Sequence, residues 1–168
     1  MTDTTDFVVR SVLIGVGATV AMDLWAALLK RFGVPSLDMA LLGRWVGHLA
    51  GGRWRHARIA KATPVRRERL IGWSAHYSIG IAFSALLLMV YGLEWAHAPT
   101  LLPALIVGIG TVVAPLFVLQ PGMGAGVASR KTARPVFNAA KSVATHTVFG
   151  LGVYGAALVV QTALAGAR

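Results

Sequence analysis

Asp23, His76 and His146 each lie inside a long apolar stretch. A carboxylate or imidazole kept in such a place is costly, and its usual uses are proton relay, recognition of a polar solute, or ligation of a metal or haem. The two histidines head similar runs, His76-Tyr77-Ser78-Ile79-Gly80-Ile81-Ala82 and His146-Thr147-Val148-Phe149-Gly150-Leu151-Gly152. Upstream, Gly15-Val16-Gly17-Ala18-Thr19-Val20-Ala21 overlays Gly108-Ile109-Gly110-Thr111-Val112-Val113-Ala114. The pattern predicts two tandem helical hairpins, a parallel repeat that makes His76 and His146 equivalent. Asp23 has no twin, because its aligned counterpart is near Leu116. Each of the three is about six residues from the basic end of its helix, which places them roughly 10 Å below one membrane surface at ~1.5 Å per residue. They are expected to meet.

Four uses of that cluster stay open. It can pin helices together through hydrogen bonds to Ser74, Ser78 or Thr147, each worth about 1 kcal/mol. It can bind or pass a solute with proton linkage. His76 and His146 can ligate a b-type haem between helices. A divalent metal can take His76 and His146, with His48 or His56 as further ligands beside Asp23. His97 is expected on the opposite side, outside the cluster.

The elements that must position these residues follow from composition. Hydrophobic residues make up 56% of the chain and charged residues 13%, about half the charged share of a soluble domain (roughly 25%). Four stretches of about 20 residues, near 8–29, 70–91, 100–119 and 142–163, are long enough to cross the hydrocarbon. An all-α polytopic membrane protein follows, since a helix satisfies its own backbone groups. We read residues 1–168 as a single integral membrane four-helix bundle, with hairpin one at about 8–92 and hairpin two at about 100–163. The start, Met1-Thr2-Asp3-Thr4-Thr5-Asp6, lacks the basic segment of a secretory signal, so the first helix is expected to be retained. With no cysteine, any metal would need nitrogen or oxygen ligands.

The net charge of +10 is unevenly placed. Nine Lys or Arg residues fall within 31–69, and Arg130, Lys131 and Arg134 lie in the third connection, whereas the second carries only Glu94 and His97. By the positive-inside rule the large basic segment is cytoplasmic, both termini are periplasmic, and Lys141 sits at the cytoplasmic mouth of the fourth helix. Topology and attraction to anionic lipid headgroups account for the bases, so nucleic acid is not expected as a partner.

Between the first two spans, Gly33-Val34-Pro35 breaks the helix and a short interfacial helix follows. Ser36 can cap it, and Leu37, Leu41, Leu42, Trp45, Val46 and Leu49 form its apolar face, flanked by Arg44 and His48. The segment Gly51-Gly52-Arg53-Trp54-Arg55-His56-Ala57-Arg58 reads as an interfacial lid, or as an anion or headgroup clamp through Arg53, Arg55 and Arg58. Pro115 predicts a kink in the third span. Gln120-Pro121-Gly122-Met123-Gly124-Ala125-Gly126 predicts a turn. Gly150-Leu151-Gly152-Val153-Tyr154-Gly155 spells a dinucleotide loop but lies within an apolar helix, where small residues let helices approach. Gly17 with Ala21, Gly80 with Ser84, and Gly152 with Ala156 are expected to do the same.

Hydrolase chemistry is disfavoured: there is no Gly-x-Ser-x-Gly elbow and no carboxylate pair set for acid and base work. On Ala21-Met22-Asp23-Leu24-Trp25, Gly43-Arg44-Trp45-Val46-Gly47-His48, Ala75-His76-Tyr77-Ser78-Ile79-Gly80 and the 120–126 run, the chain resembles a bacterial family of small four-helix membrane proteins catalogued only as a domain of unknown function. That resemblance implies the fold and an inner-membrane location, and no activity. The sequence reading is a protein that binds or moves a small solute through Asp23, His76 and His146. A homo-oligomer is expected, because so small a chain needs partners to enclose a pathway.

Overall fold

A computed structural model describes residues 2–166, and no β-strand occurs among them. In chain order the helices are α1 (Asp3–Arg31), α2 (Met39–Leu49), α3 (Glu68–Tyr91), the short α4 (Glu94–His97), α5 (Leu101–Gly110), the short α6 (Gln120–Met123) and α7 (Pro135–Ala165). Four helical segments, Asp3–Arg31, Glu68–Tyr91, Leu101–Met123 and Pro135–Ala165, are long and apolar enough to cross a membrane. The chain is an all-α membrane protein.

At Pro115, where the sequence predicts a kink, the third of these segments widens. Ala114–Leu119 forms π-helical turns between α5 and α6. Proline has no N–H to give the carbonyl four residues back. The bonding register slips by one residue instead, and the Gln120 N–H bonds to the Pro115 carbonyl, five residues back.

The described residues form two compact units, of which the first comprises 2–28, 77–111 and 145–166. Its packing depends on residues too small to hold helices apart. A Cβ at Gly17 would lie 2.8 Å from that of Ala156, and one at Gly152 would lie 2.9 Å from that of Ala21. Gly15 meets the backbone of α3 at Gly80 and Ile81, and Gly108 meets Gly150. Gly150 and Gly152 of the α7 glycine run are therefore packing positions. Around these contacts Ile14, Ala18, Leu87, Phe149, Val153 and Ala157 are buried, and Phe83 stands edge to face with Phe149 at 6.2 Å.

The second unit comprises Leu29–His76 and Val112–Ala144. The expected cap at Ser36 is not the one used: Asp38 caps α2, accepting from the Ala40 N–H at 2.8 Å. A carboxylate here also meets the positive end of the helix dipole, which a serine hydroxyl does less well. The helix is anchored to the start of α3. Gly43 lies against the Glu68 carbonyl and Gly72 against the Met39 carbonyl, so closely that a Cβ at either would overlap backbone. Beside that crossing Arg44 grips Glu68 through two parallel bonds of 2.9 and 2.8 Å. This hydrogen bonding holds the guanidinium above its ordinary titration range. Arg44 also donates to the carbonyls of Ala60 and Ala62, and Glu68 accepts from the Val65 N–H, which together close the 59–68 turn.

Because the atoms in the way are backbone, Gly43→Ala or Gly72→Ala forces the helices apart at an expected cost of about 1–3 kcal/mol. Unfolding titrations in mild detergent read this as a lower midpoint. Gly155, with nothing near its Cβ position, is the control: Gly155→Ala leaves the midpoint unchanged or raises it, by up to about 1 kcal/mol.

Candidate functional site

Asp23 is half-buried on α1 and accepts a 2.9 Å hydrogen bond from the Tyr77 hydroxyl of α3. Tyr77 follows His76 directly in sequence. In the second unit, His76 stands edge to face with Trp73, ring centroids 5.9 Å apart. Two residues past Asp23, the Trp25 indole N–H is buried without a hydrogen-bond partner. Indole can only donate, so this N–H is a buried donor left unsatisfied among the described residues.

His146 is buried on α7 and faces α5. Its Nδ1 lies 3.3 Å from the Gly108 carbonyl and 3.1 Å from the Thr111 hydroxyl oxygen. Carbonyl oxygen only accepts, and the Thr111 hydroxyl already donates to that same carbonyl at 2.7 Å, so Nδ1 carries the hydrogen. The neutral ring then presents Nε2 as a bare acceptor, and the described residues supply no hydrogen bond to it. A carbonyl hydrogen-bonded to one ring nitrogen orients an imidazole in this way where the other nitrogen ligates or accepts. Sequence spacing gave the residue; the α5 partners that fix its tautomer were not foreseen.

The first unit relates Asp23 to His146 through antiparallel α1 and α7. Their contacts step from Gly17 with Ala156 to Ala21 with Gly152. Extending that progression puts Asp23 about one turn, ~5 Å, from the level of His146. Among the described residues, no group of three or more His, Asp or Glu side chains is arranged to hold a metal ion.

The basic segment of the second unit is pinned from beneath and exposed above. His48 donates from Nε2 to the Thr63 carbonyl at 3.0 Å and meets His56 Nε2 through Nδ1 at 2.7 Å. The His56 backbone N–H donates to the Gly122 carbonyl at 2.8 Å, and the Trp45 indole N–H donates to the Trp54 carbonyl at 2.7 Å. These bonds seat the segment against the 120–126 turn, where Gly124 turns the chain with φ of 98° and packs on the Ala57 carbonyl. Arg53, Arg55 and Arg58, with Trp54, are left exposed. Lys141 donates to the Pro35 carbonyl.

A polar cluster that sequence spacing missed lies in the first unit. Arg10 is 2% exposed. It bonds Asp6 at 2.9 Å, the Ala96 carbonyl at 3.0 Å and Gln161 Oε1 at 2.9 Å, with His97 Nδ1 at 3.4 Å. His97, set apart from the Asp23 cluster on sequence, thus has a buried network of its own. The legible signal was an i,i+4 Asp6/Arg10 pair with its basic member inside an apolar run.

The four apolar spans and the polar groups held within them define a polytopic α-helical membrane protein with intramembrane histidine and carboxylate. The chain belongs to the family described as protein of unknown function (DUF2938), which matches residues 12–160. That span includes Asp23, His76 and His146 and leaves out Asp6, Arg10 and Gln161. No curated protein and no solved structure matches the chain.

If Gly108 and Thr111 set the His146 tautomer, 15N spectra of histidine-labelled protein in detergent contain a neutral ring protonated at Nδ1 and bare at Nε2. His146→Gln removes that signal. Thr111→Val takes away one interhelical hydrogen bond and lowers stability by about 0.6–1.7 kcal/mol.

Proposed function

We propose that this protein binds a small polar solute within the membrane, with proton linkage, through Asp23, His76 and His146. The observation that carries the reading is the His146 ring, held by a carbonyl at Nδ1 so that Nε2 is offered as an acceptor in apolar surroundings. Asp23, held by Tyr77, adds a carboxylate about one turn away, and the orphaned Trp25 indole adds a donor. A site offering an acceptor, an acid and a donor suits a solute with both hydrogen-bonding senses. His76 is included on the sequence argument of shared depth and duplication.

The arrangement we propose for the whole chain is two tandem hairpins in a bacterial inner membrane, termini periplasmic and the basic segment cytoplasmic. The exposure of Arg53, Arg55, Arg58, Arg130, Lys131 and Arg134 supports contact with anionic headgroups. Transport by so small a chain calls for a homo-oligomer. A second reading, b-type haem on His146 and His76, draws on the same Nδ1 anchoring, since axial histidines are oriented in this way.

Proteoliposomes carrying a solute library separate these readings. Proton-linked uptake or release of one solute class is expected in wild type, and Asp23→Asn and His146→Ala each reduce it at least tenfold while the folded fraction stays unchanged. Haem instead gives purified protein a Soret band that either His76→Ala or His146→Ala abolishes. Wild-type flux in the Asp23→Asn variant removes the proton relay.

A further inference from the structure

The Arg10 cluster stands apart from the Asp23 and His146 reading and holds on its own geometry. A guanidinium only donates, so His97 Nδ1 accepts from Arg10. The Asp6 carboxylate only accepts, so His97 Nε2 carries the hydrogen that reaches Asp6 Oδ2 at 3.1 Å. His97 is therefore neutral in this network, and Asp6 and Arg10 cancel one another. The accounting leaves two loose ends. Asp6 Oδ1 is buried without a partner. Of the five guanidinium hydrogens, Asp6 takes one, Ala96 and Gln161 take the two on the first terminal nitrogen, and His97 takes one from the second. One N–H on that second nitrogen is unused.

Beside it lies a cavity of about 160 Å³ lined by Arg10, His97, Gln161, Leu164 and Ala165. A proton arriving from solvent can bind His97 only at Nδ1, where it meets the Arg10 N–H donor against donor. The Arg10–His97 bond, already the longest in the cluster, must then break. The cluster passes from net zero to one positive charge, and two hydrogens of one guanidinium nitrogen become available to the cavity. The other groups around His97 do not absorb that charge: Gln161 on α7 is neutral, α5 carries no titratable residue, and Glu94 on α4 itself is exposed.

We propose that Arg10, His97 and Gln161 form a proton-dependent binding site for a short monocarboxylate. The carboxylate would pair with Arg10 and its one or two carbons would rest on Leu164 and Ala165. One proton and one anion enter together, so the site returns to neutrality when filled.

Acetate is the probe, titrated calorimetrically into the purified full chain in detergent at a mildly acidic and at a mildly alkaline pH. Saturable binding is expected in the acid sample and at least tenfold weaker binding in the alkaline one. His97→Gln keeps both neutral hydrogen bonds and takes up no proton, so it loses acid-enhanced binding. Arg10→Ala strips the buried Asp6 carboxylate of its cation and leaves it the His97 N–H, so it is not used as a test. Gln161→Leu is the second variant, expected to weaken acid binding several-fold with the pH dependence retained. Equal affinity at both pH values, no acetate binding in acid, or unaltered acid-enhanced binding in His97→Gln each overturns the proposal.

Discussion

Within hydrocarbon a polar group has no water to turn to, and every such group must find its partner inside the protein or in something the protein binds. That constraint explains the four apolar helices, and it also explains what is unusual in them. Pro115 cannot donate, and the backbone answers by widening into π turns, with Gln120 reaching back five residues for a carbonyl. Arg10, 2% exposed, spends four of its five hydrogens on Asp6, Ala96, Gln161 and His97. His146 spends its one ring hydrogen on Gly108 and Thr111 and is left with an acceptor. A few groups among the described residues escape this rule, Trp25 Nε1 and Asp6 Oδ1 among them.

Close approach of helices makes such partnerships possible. Gly108 is both the carbonyl that orients His146 and the residue whose missing side chain lets α5 reach Gly150 on α7. In the second unit Gly43 and Gly72 bring α2 onto α3 closely enough for Arg44 to take Glu68 with two bonds. The same small residues that give van der Waals contact in lipid therefore set the distances over which the polar groups act. A methyl added at one of these positions would disturb the hydrogen bonds as well as the packing.

Much of this was legible in the sequence, for identifiable reasons. Long apolar runs determine helix number, so the four spans were plain, and the small-residue faces at Gly17 and Gly152 followed from what helices need in lipid. Ends were harder: α1 begins at Asp3, before its apolar run, because a polar turn can be helical without changing the hydropathy pattern. The α2 cap fell to Asp38 over Ser36, two equally plausible acceptors between which only backbone geometry chooses. His146 could be named from its surroundings, but its tautomer depends on a carbonyl 38 residues away. Arg10 was the largest omission. It reads as a helix-end charge until its partners, 86 and 151 residues distant, are brought beside it by the fold.

We propose that the intramembrane polar residues Asp23 and His146 face a place that solute and water can enter, and the absence of cysteine from the chain allows a direct test. Single-cysteine variants Asp23→Cys, His146→Cys and, as a lipid-facing control, Leu24→Cys (67% exposed on the apolar surface) are treated in membranes with a small water-soluble thiol reagent that reacts with the hydrated thiolate. Rapid modification at positions 23 and 146 and negligible modification at 24 are expected. Protection at 23 and 146 equal to that at 24 would contradict the proposal, leaving those residues as sealed ties between helices.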